Sequence, residues 1–326
     1  VSARRLLWLA VALGVLAATL TVAYVGIGGV LAALARIGWR GLAALTAYSA
    51  LPYLLLGSAW SSLEKPWGLR RWADLVWARL VRDASGELLP FSPLGGLVIG
   101  ARAATLQGRT AAWAAATTVV DVSAEMVAQI GFTALGVALL AGRLGSVHGG
   151  GLVGAAVAGL AITAAATVAF VAFQRRGLSG LTALVQRFAP AAALGAQETG
   201  VLIETLYRRP FRLAVATLLH LAAWIASACG AWLALRVAGV AIGVLDVVGL
   251  EALIMALRSA AFFTPMGIGV QEASYAVLGP IFGLGPEVAI ALSLIKRARE
   301  LTVGLPVLLI WQGLESRRLI AARSGR

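Results

Sequence analysis

Residues 257–278 read LRSAAFFTPMGIGVQEASYAVL, and residues 85–106 read SGELLPFSPLGGLVIGARAATL. Each stretch runs from a charged segment into a Pro/Gly break and then into a second short apolar segment. Set at a constant offset of 172, they align without gaps from Asp74/Asp246 to Leu106/Leu278. Phe91 meets Phe263, Pro93 meets Pro265, Gly95 meets Gly267, Val98 meets Val270 and Ala101 meets Ala273. The shared Phe-x-Pro-x-Gly at the break points to an internal duplication. A Pro/Gly cluster ends a helix, and backbone groups freed in this way cannot face lipid. The two stretches therefore predict re-entrant broken-helix hairpins, over 72–108 and 244–284, with breaks at Pro93, Gly95 and Gly96 and at Pro265, Gly267 and Gly269.

The sequence surrounding the hairpins calls for lipid. Of 326 residues, 60% are hydrophobic and 13% charged, with a mean hydropathy of +0.90. No soluble core of this length hides so much apolar surface. Apolar runs of about 20 residues, enough to cross the hydrocarbon layer, fall near 6–33, 42–60, 110–142, 151–173, 213–235 and 287–313. The first run is too long for the apolar region of a signal peptide and reads as an uncleaved span. Trp39, Trp60, Trp67, Trp72 and Trp311 sit near predicted span ends, where interfacial aromatics collect. The fold class is thus an all-α polytopic membrane protein, with about six transmembrane helices and two hairpins in one membrane domain, 1–326.

A formal net charge of +13 raises nucleic acid as a partner, but the Arg residues lie in short stretches between apolar runs. That is the positive-inside pattern, and it argues for an anionic membrane leaflet rather than nucleic acid. Arg-rich segments at 1–5, 61–71, 174–212 and 314–326 place both termini in the cytoplasm of a bacterial inner membrane. The hairpins then enter from opposite sides, so that repeat 1 (42–142) and repeat 2 (213–313) are inverted. Such repeats are common in transporters, with the substrate site at broken helices near the midplane. The connection 174–212 is either an amphipathic helix on anionic lipid or a solvated linker.

Charges inside the spans mark the candidate site. Asp121 and Glu125 share one helix face at i,i+4, roughly 15–22 Å into their span at 1.5 Å per residue. Lys296, Arg297, Arg299 and Glu300 occupy the equivalent span of repeat 2. A charge at the bilayer centre costs at least about 2.5–3.5 kcal/mol, so these groups either pair, Asp121 and Glu125 with Arg297 and Arg299, or line a wet substrate pathway. Arg102, Gln271 and Glu272 follow the hairpin breaks and join the same pathway. Helices starting after the breaks direct positive dipole ends at the midplane, which suits a phosphate-bearing headgroup, although the glycines there are equally explained by the turns alone. Cys229 cannot form an intrachain disulfide, and His148 and His220 lie far from any His/Cys cluster. No metal, cofactor or enzymatic motif is expected.

The run TPMGIGVQEASYAVL (264–278), followed by LSLIKRARELTVGLP (292–306), resembles the flippase-like membrane domain of lysylphosphatidylglycerol synthases and their stand-alone relatives. That family has a Pro-Gly-Gly-x-Gly-x-x-Glu turn before a span with an embedded Arg. Pro265, Gly267, Gly269 and Glu272 match the turn and Arg297 matches the Arg, while Met266 and Ile268 depart from it. Leu97 stands where the first-repeat turn often carries an acid. Asp121 and Glu125, with Leu89-Pro90 nearby, look closer to the subgroup associated with hopanoid biosynthesis. The resemblance implies movement of a membrane lipid and does not imply aminoacyl transfer, which the synthases place in a separate soluble domain. Two other readings stay open: an ion-coupled transporter of a small polar solute, and a non-transporting scaffold for lipid-biosynthetic partner proteins.

Overall fold

The computed structural model describes residues 3–64, 68–89, 92–148, 150–176, 190–261 and 267–324. Among them every regular element is helical. The order is α1 (Ala3–Val25), α2 (Ile27–Tyr48), α3 (Ala50–Ser61), α4 (Leu69–Leu88), α5 (Ser92–Leu106) and α6 (Ala111–His148). It continues with α7 (Gly150–Arg176), α8 (Pro190–Tyr207), α9 (Pro210–Val237), α10 (Val244–Ala260), α11 (Val270–Leu278) and α12 (Pro286–Ser324), with a 3-10 turn, Pro280–Phe282, before the last. Three helical stretches are long and apolar enough to cross a bilayer: Ile27–Ser61, Ala111–Leu144 and Pro210–Val237.

The breaks follow local chemistry. Leu89 precedes Pro90 and is extended (φ −90°, ψ 143°), because the proline ring excludes the helical conformation from the residue before it. That ends α4, and α5 begins at Ser92 with Pro93 as its second residue, a place where a missing N–H costs nothing. Pro93 thus starts a helix, and Gly95 and Gly96 lie inside that helix, not in the turn where the sequence had predicted them. In the second hairpin Gly267 and Gly269 do make the turn, with φ of 60° and 84°, a region that glycine alone enters freely. Pro265 lies outside the described residues.

Other expectations shift as well. The first apolar run, predicted as one span over 6–33, is divided at Gly26 (φ 108°), and α2 is kinked at Gly38 (φ 54°). Trp60 is not interfacial: it is fully buried and donates Nε1–H to Thr117 Oγ1 at 3.1 Å. Within 174–212, the described helix α8 docks on the bundle through buried Ile203 and Leu206. The Tyr207 hydroxyl, at its end, donates to Gln174 Oε1 (2.6 Å) and lies 2.8 Å from the Ser123 hydroxyl.

Packing crosses between the halves. Helix α4 lies against α5, α3 and α12, while α10 lies against α6, so the first helix of each hairpin packs on the long helix of the other half, and α5 and α11 pack on the long helix of their own. Helix α9 fills the middle against α2, α3 and α6. The α4/α5 hairpin is tight: a Cβ on Gly96 would stand 2.6 Å from the Arg82 carbonyl and 2.9 Å from Gly86 Cα. Backbone cannot yield as a side-chain tip can, so Gly96→Ala is expected to cost about 1–3 kcal/mol, the usual penalty of overpacking. Thermal unfolding in detergent checks this. Gly131→Ala serves as the control, since nothing lies within 4 Å of that added Cβ. Arg109, in the α5–α6 connection, anchors the open end of the hairpin. It donates Nη2–H to Glu64 Oε2 (2.9 Å) and Nη1–H to Asp74 Oδ2 (3.0 Å).

Candidate functional site

A cavity of about 470 Å³ opens where the two halves meet. Its floor and walls come from α2, α3, α4, α5, α6, α9, α10 and α12. Five cations line it, Arg79, Arg82, Arg258, Lys296 and Arg299, together with five carboxylates, Asp83, Glu87, Glu125, Glu251 and Glu300. Between them lie apolar and aromatic groups including Leu56, Met126, Phe132 and Trp224. A pocket that is charged yet bounded by apolar helices suits a molecule with a polar head and an apolar body.

The first-repeat side is one connected network. Arg79 donates Nε–H to Asp83 Oδ2 (2.9 Å), Nη1–H to Asp121 Oδ2 (3.1 Å) and Nη2–H to Glu125 Oε1 (2.8 Å). Arg82 donates to Asp121 Oδ2 and Glu125 Oε2, both at 2.6 Å. The Arg79 and Arg82 side chains are 3% and 7% exposed, and Asp121 is fully buried. Helical spacing explains the fit, because Arg79, Arg82 and Asp83 present one face of α4 toward the i,i+4 acid pair of α6. Beneath it, His220 of α9 places Nε2 3.0 Å from Asp121 Oδ1.

The second-repeat side is separate. Lys296 and the Tyr275 hydroxyl both donate to Glu251. Arg297 donates Nε–H to Glu272 Oε1 (2.6 Å) and Nη2–H to the Gly267 carbonyl (3.1 Å). Glu272 in turn accepts from Gly269 N–H at 2.8 Å, clamping the turn that the two glycines make. Arg299 donates Nη1–H to Tyr53 Oη at 2.8 Å. Glu300 faces Arg258 and Arg299 at 3.7 and 3.8 Å.

Glu125, Lys296, Arg299 and Glu300 therefore reach one cavity, with Asp121 just behind it. Arg297 and Glu272 sit at its edge, joined to it through Gly267. Gln271 is fully buried and donates to Ser293 Oγ at 2.8 Å. Arg102 is not on the cavity wall; it pairs with Glu315 at 2.8 Å and is half exposed. The pairing of Asp121 and Glu125 with Arg297 and Arg299 is corrected, since Arg79 and Arg82 take both acids. Those two arginines went unrecognised in the sequence because they belong to the charged lead-in of the hairpin. The available signal was their i,i+3 spacing beside Asp83. His220, set aside as a lone histidine, is the other missed member.

Asp121, Glu125 and His220 offer three ligand atoms within 4.8 Å of one another. The carboxylate oxygens already accept from two guanidinium groups, and a divalent cation there would lie against both. The donor set therefore fits an ion-pair network and not a metal.

Long apolar helices closed around a buried, charged cavity define a multi-pass helical membrane protein. The family model for the lysylphosphatidylglycerol synthase TM region matches residues 7–307, and the chain belongs to that family. No curated protein and no solved structure matches it.

Proposed function

We propose that the protein is a non-enzymatic lipid translocase of the bacterial inner membrane, moving an amphipathic lipid through the cavity between its two repeats. The observation that carries this reading is the cavity itself: ten charged side chains within an otherwise apolar helical bundle. Embedded charges of this kind mark substrate or ion pathways in membranes. A phosphate-bearing lipid or a hopanoid, with a polar end and an apolar body, suits the mixed lining. The basic segments would lie on the anionic cytoplasmic leaflet, and lipid-biosynthetic enzymes are the natural partners to deliver substrate. The test is outer-leaflet exposure of a labelled lipid in vesicles holding the purified protein. Exposure no faster than in empty vesicles overturns the reading.

The same proposal sets the topology: six spans, two opposed hairpins, inverted repeats and both termini cytoplasmic. In a Cys229→Ser background, Ser146→Cys, in the 143–150 segment beyond the span that ends at Leu144, should react with an impermeant thiol reagent added outside the membrane, and Ser316→Cys should not. Labelling of the second site from outside would sink the inverted arrangement.

A further inference from the structure

The cavity acids are unevenly partnered. Asp83 accepts from Arg79, Glu125 from Arg79 and Arg82, and Glu251 from Lys296 and Tyr275. Glu87, on the cavity wall in the last turn of α4, has no hydrogen bond or ion pair among the described residues. Glu300 is 5% exposed, and its Oε1 has no hydrogen-bond partner. Its distances of 3.7 Å to Arg258 and 3.8 Å to Arg299 are too long for hydrogen bonds. Arg299 mirrors this, with a buried Nε–H that has no acceptor. Two acids and two guanidinium groups thus face one space without closing on each other.

Charge decides what such a space admits. With Asp121 behind the wall, the five lining cations face six carboxylates, so an entering phosphate monoanion deepens an existing excess of one negative charge. Uncompensated charge in a low-dielectric site is expensive, and a proton taken up with the anion offsets the charge that it brings. The acids best placed to accept it are those whose anions no donor stabilises. The charged or titratable groups around Glu87 are Asp83 on its own helix, Tyr53 on α3, Arg258 on α10, and Arg297, Arg299 and Glu300 on α12.

We propose that Glu87 and Glu300 form a proton-binding pair, and that a proton there releases Arg258 and Arg299 to hold a phosphate-bearing anion. No covalent step is involved: the proton comes from water and sits on a carboxylate oxygen while the phosphate oxygens accept from the guanidinium groups. Anion and proton then promote each other's binding by the same factor, as linkage requires. The inference rests on the translocase reading for its physiological role, but the proton exchange is measurable without transport.

The experiment uses the full chain in uncharged detergent, weakly buffered near neutrality, with a pH-indicator dye. Phosphatidylglycerol is added in one arm and glycerophosphoglycerol, its deacylated phosphodiester headgroup, in the other, and binding is followed by calorimetry. At saturation, wild-type protein should take up about one proton per bound anion. Response to the lipid alone identifies a lipid headgroup as the ligand, and response to both identifies the phosphate group itself. Glu87→Gln together with Glu300→Gln should still bind the anion but take up no proton. Glu87→Gln alone, at a side chain that makes no bond, should at least halve the uptake and keeps the test open if the double variant does not fold. Binding without proton uptake, uptake unchanged in the variants, or binding of neither probe overturns the proposal. Proton uptake without lipid movement in the vesicle assay would sink only the translocase reading, and movement without uptake only this one.

Discussion

Asp121→Leu is expected to destabilise the protein by about 3–5 kcal/mol, the usual cost of removing one partner from a buried ion pair. Asp121 is fully buried and accepts from Arg79, Arg82 and His220 at 3.1, 2.6 and 3.0 Å. Without it, the Arg82 Nη1–H and the His220 Nε2–H lose their acceptor inside the bundle. Adding Arg82→Met should not recover the loss, because Arg79 and Arg82 balance Glu125 and Asp83 one for one and removing Arg82 leaves an acid unpaired. Chemical unfolding in detergent, read by tryptophan fluorescence, measures both variants. Glu204→Ala removes an exposed ion pair with Arg208 and should change nothing measurable, as is usual for surface pairs. An Asp121→Leu protein as stable as wild type would show that the network does not hold the fold together.

Arg297→Met should have an effect of similar size, about 3–5 kcal/mol, by a different route. Glu272 is 2% exposed and would keep the Gly269 N–H while losing its cation, and the Gly267 carbonyl would lose the Arg297 Nη2–H bond. Adding Glu272→Gln should restore most of the stability, since an amide oxygen still accepts from Gly269 N–H without a buried charge. Lipid exposure in vesicles then separates two roles. A well-folded double variant that moves lipid at the wild-type rate assigns the pair to the turn alone. One that folds but moves none shows that the headgroup needs these charges.

The helix breaks were legible in part because their cause is local. Positive φ at Gly267 and Gly269 admits few other residues, whereas the first break falls at Leu89 and not at Pro93, Gly95 and Gly96, because it is the residue before Pro90 that leaves the helix. At the offset of 172, α4, α5 and α6 stand in the same order as α10, α11 and α12. Ion partners were less legible because they are set by which helices meet. The sequence reading gave Asp121 only Arg297 and Arg299 as partners, and the packing of α4, α6 and α9 around it brings Arg79 and Arg82 there instead. The division of the first apolar run was missed for a related reason: hydropathy is blind to a single glycine such as Gly26.

The charged lining has one more consequence, which concerns how the two halves find each other. The first half contributes two cations and three carboxylates to the cavity, and the second contributes three cations and two carboxylates. Each half alone would therefore present an uncompensated charge of opposite sign, the larger on the first half once buried Asp121 is counted, and two copies of the same half would double it. Unlike halves offset each other. The cavity thus acts as a lock on assembly: whatever symmetry the repeated helices retain in their backbone, their charges make each half an obligate partner of the other and a poor partner of itself.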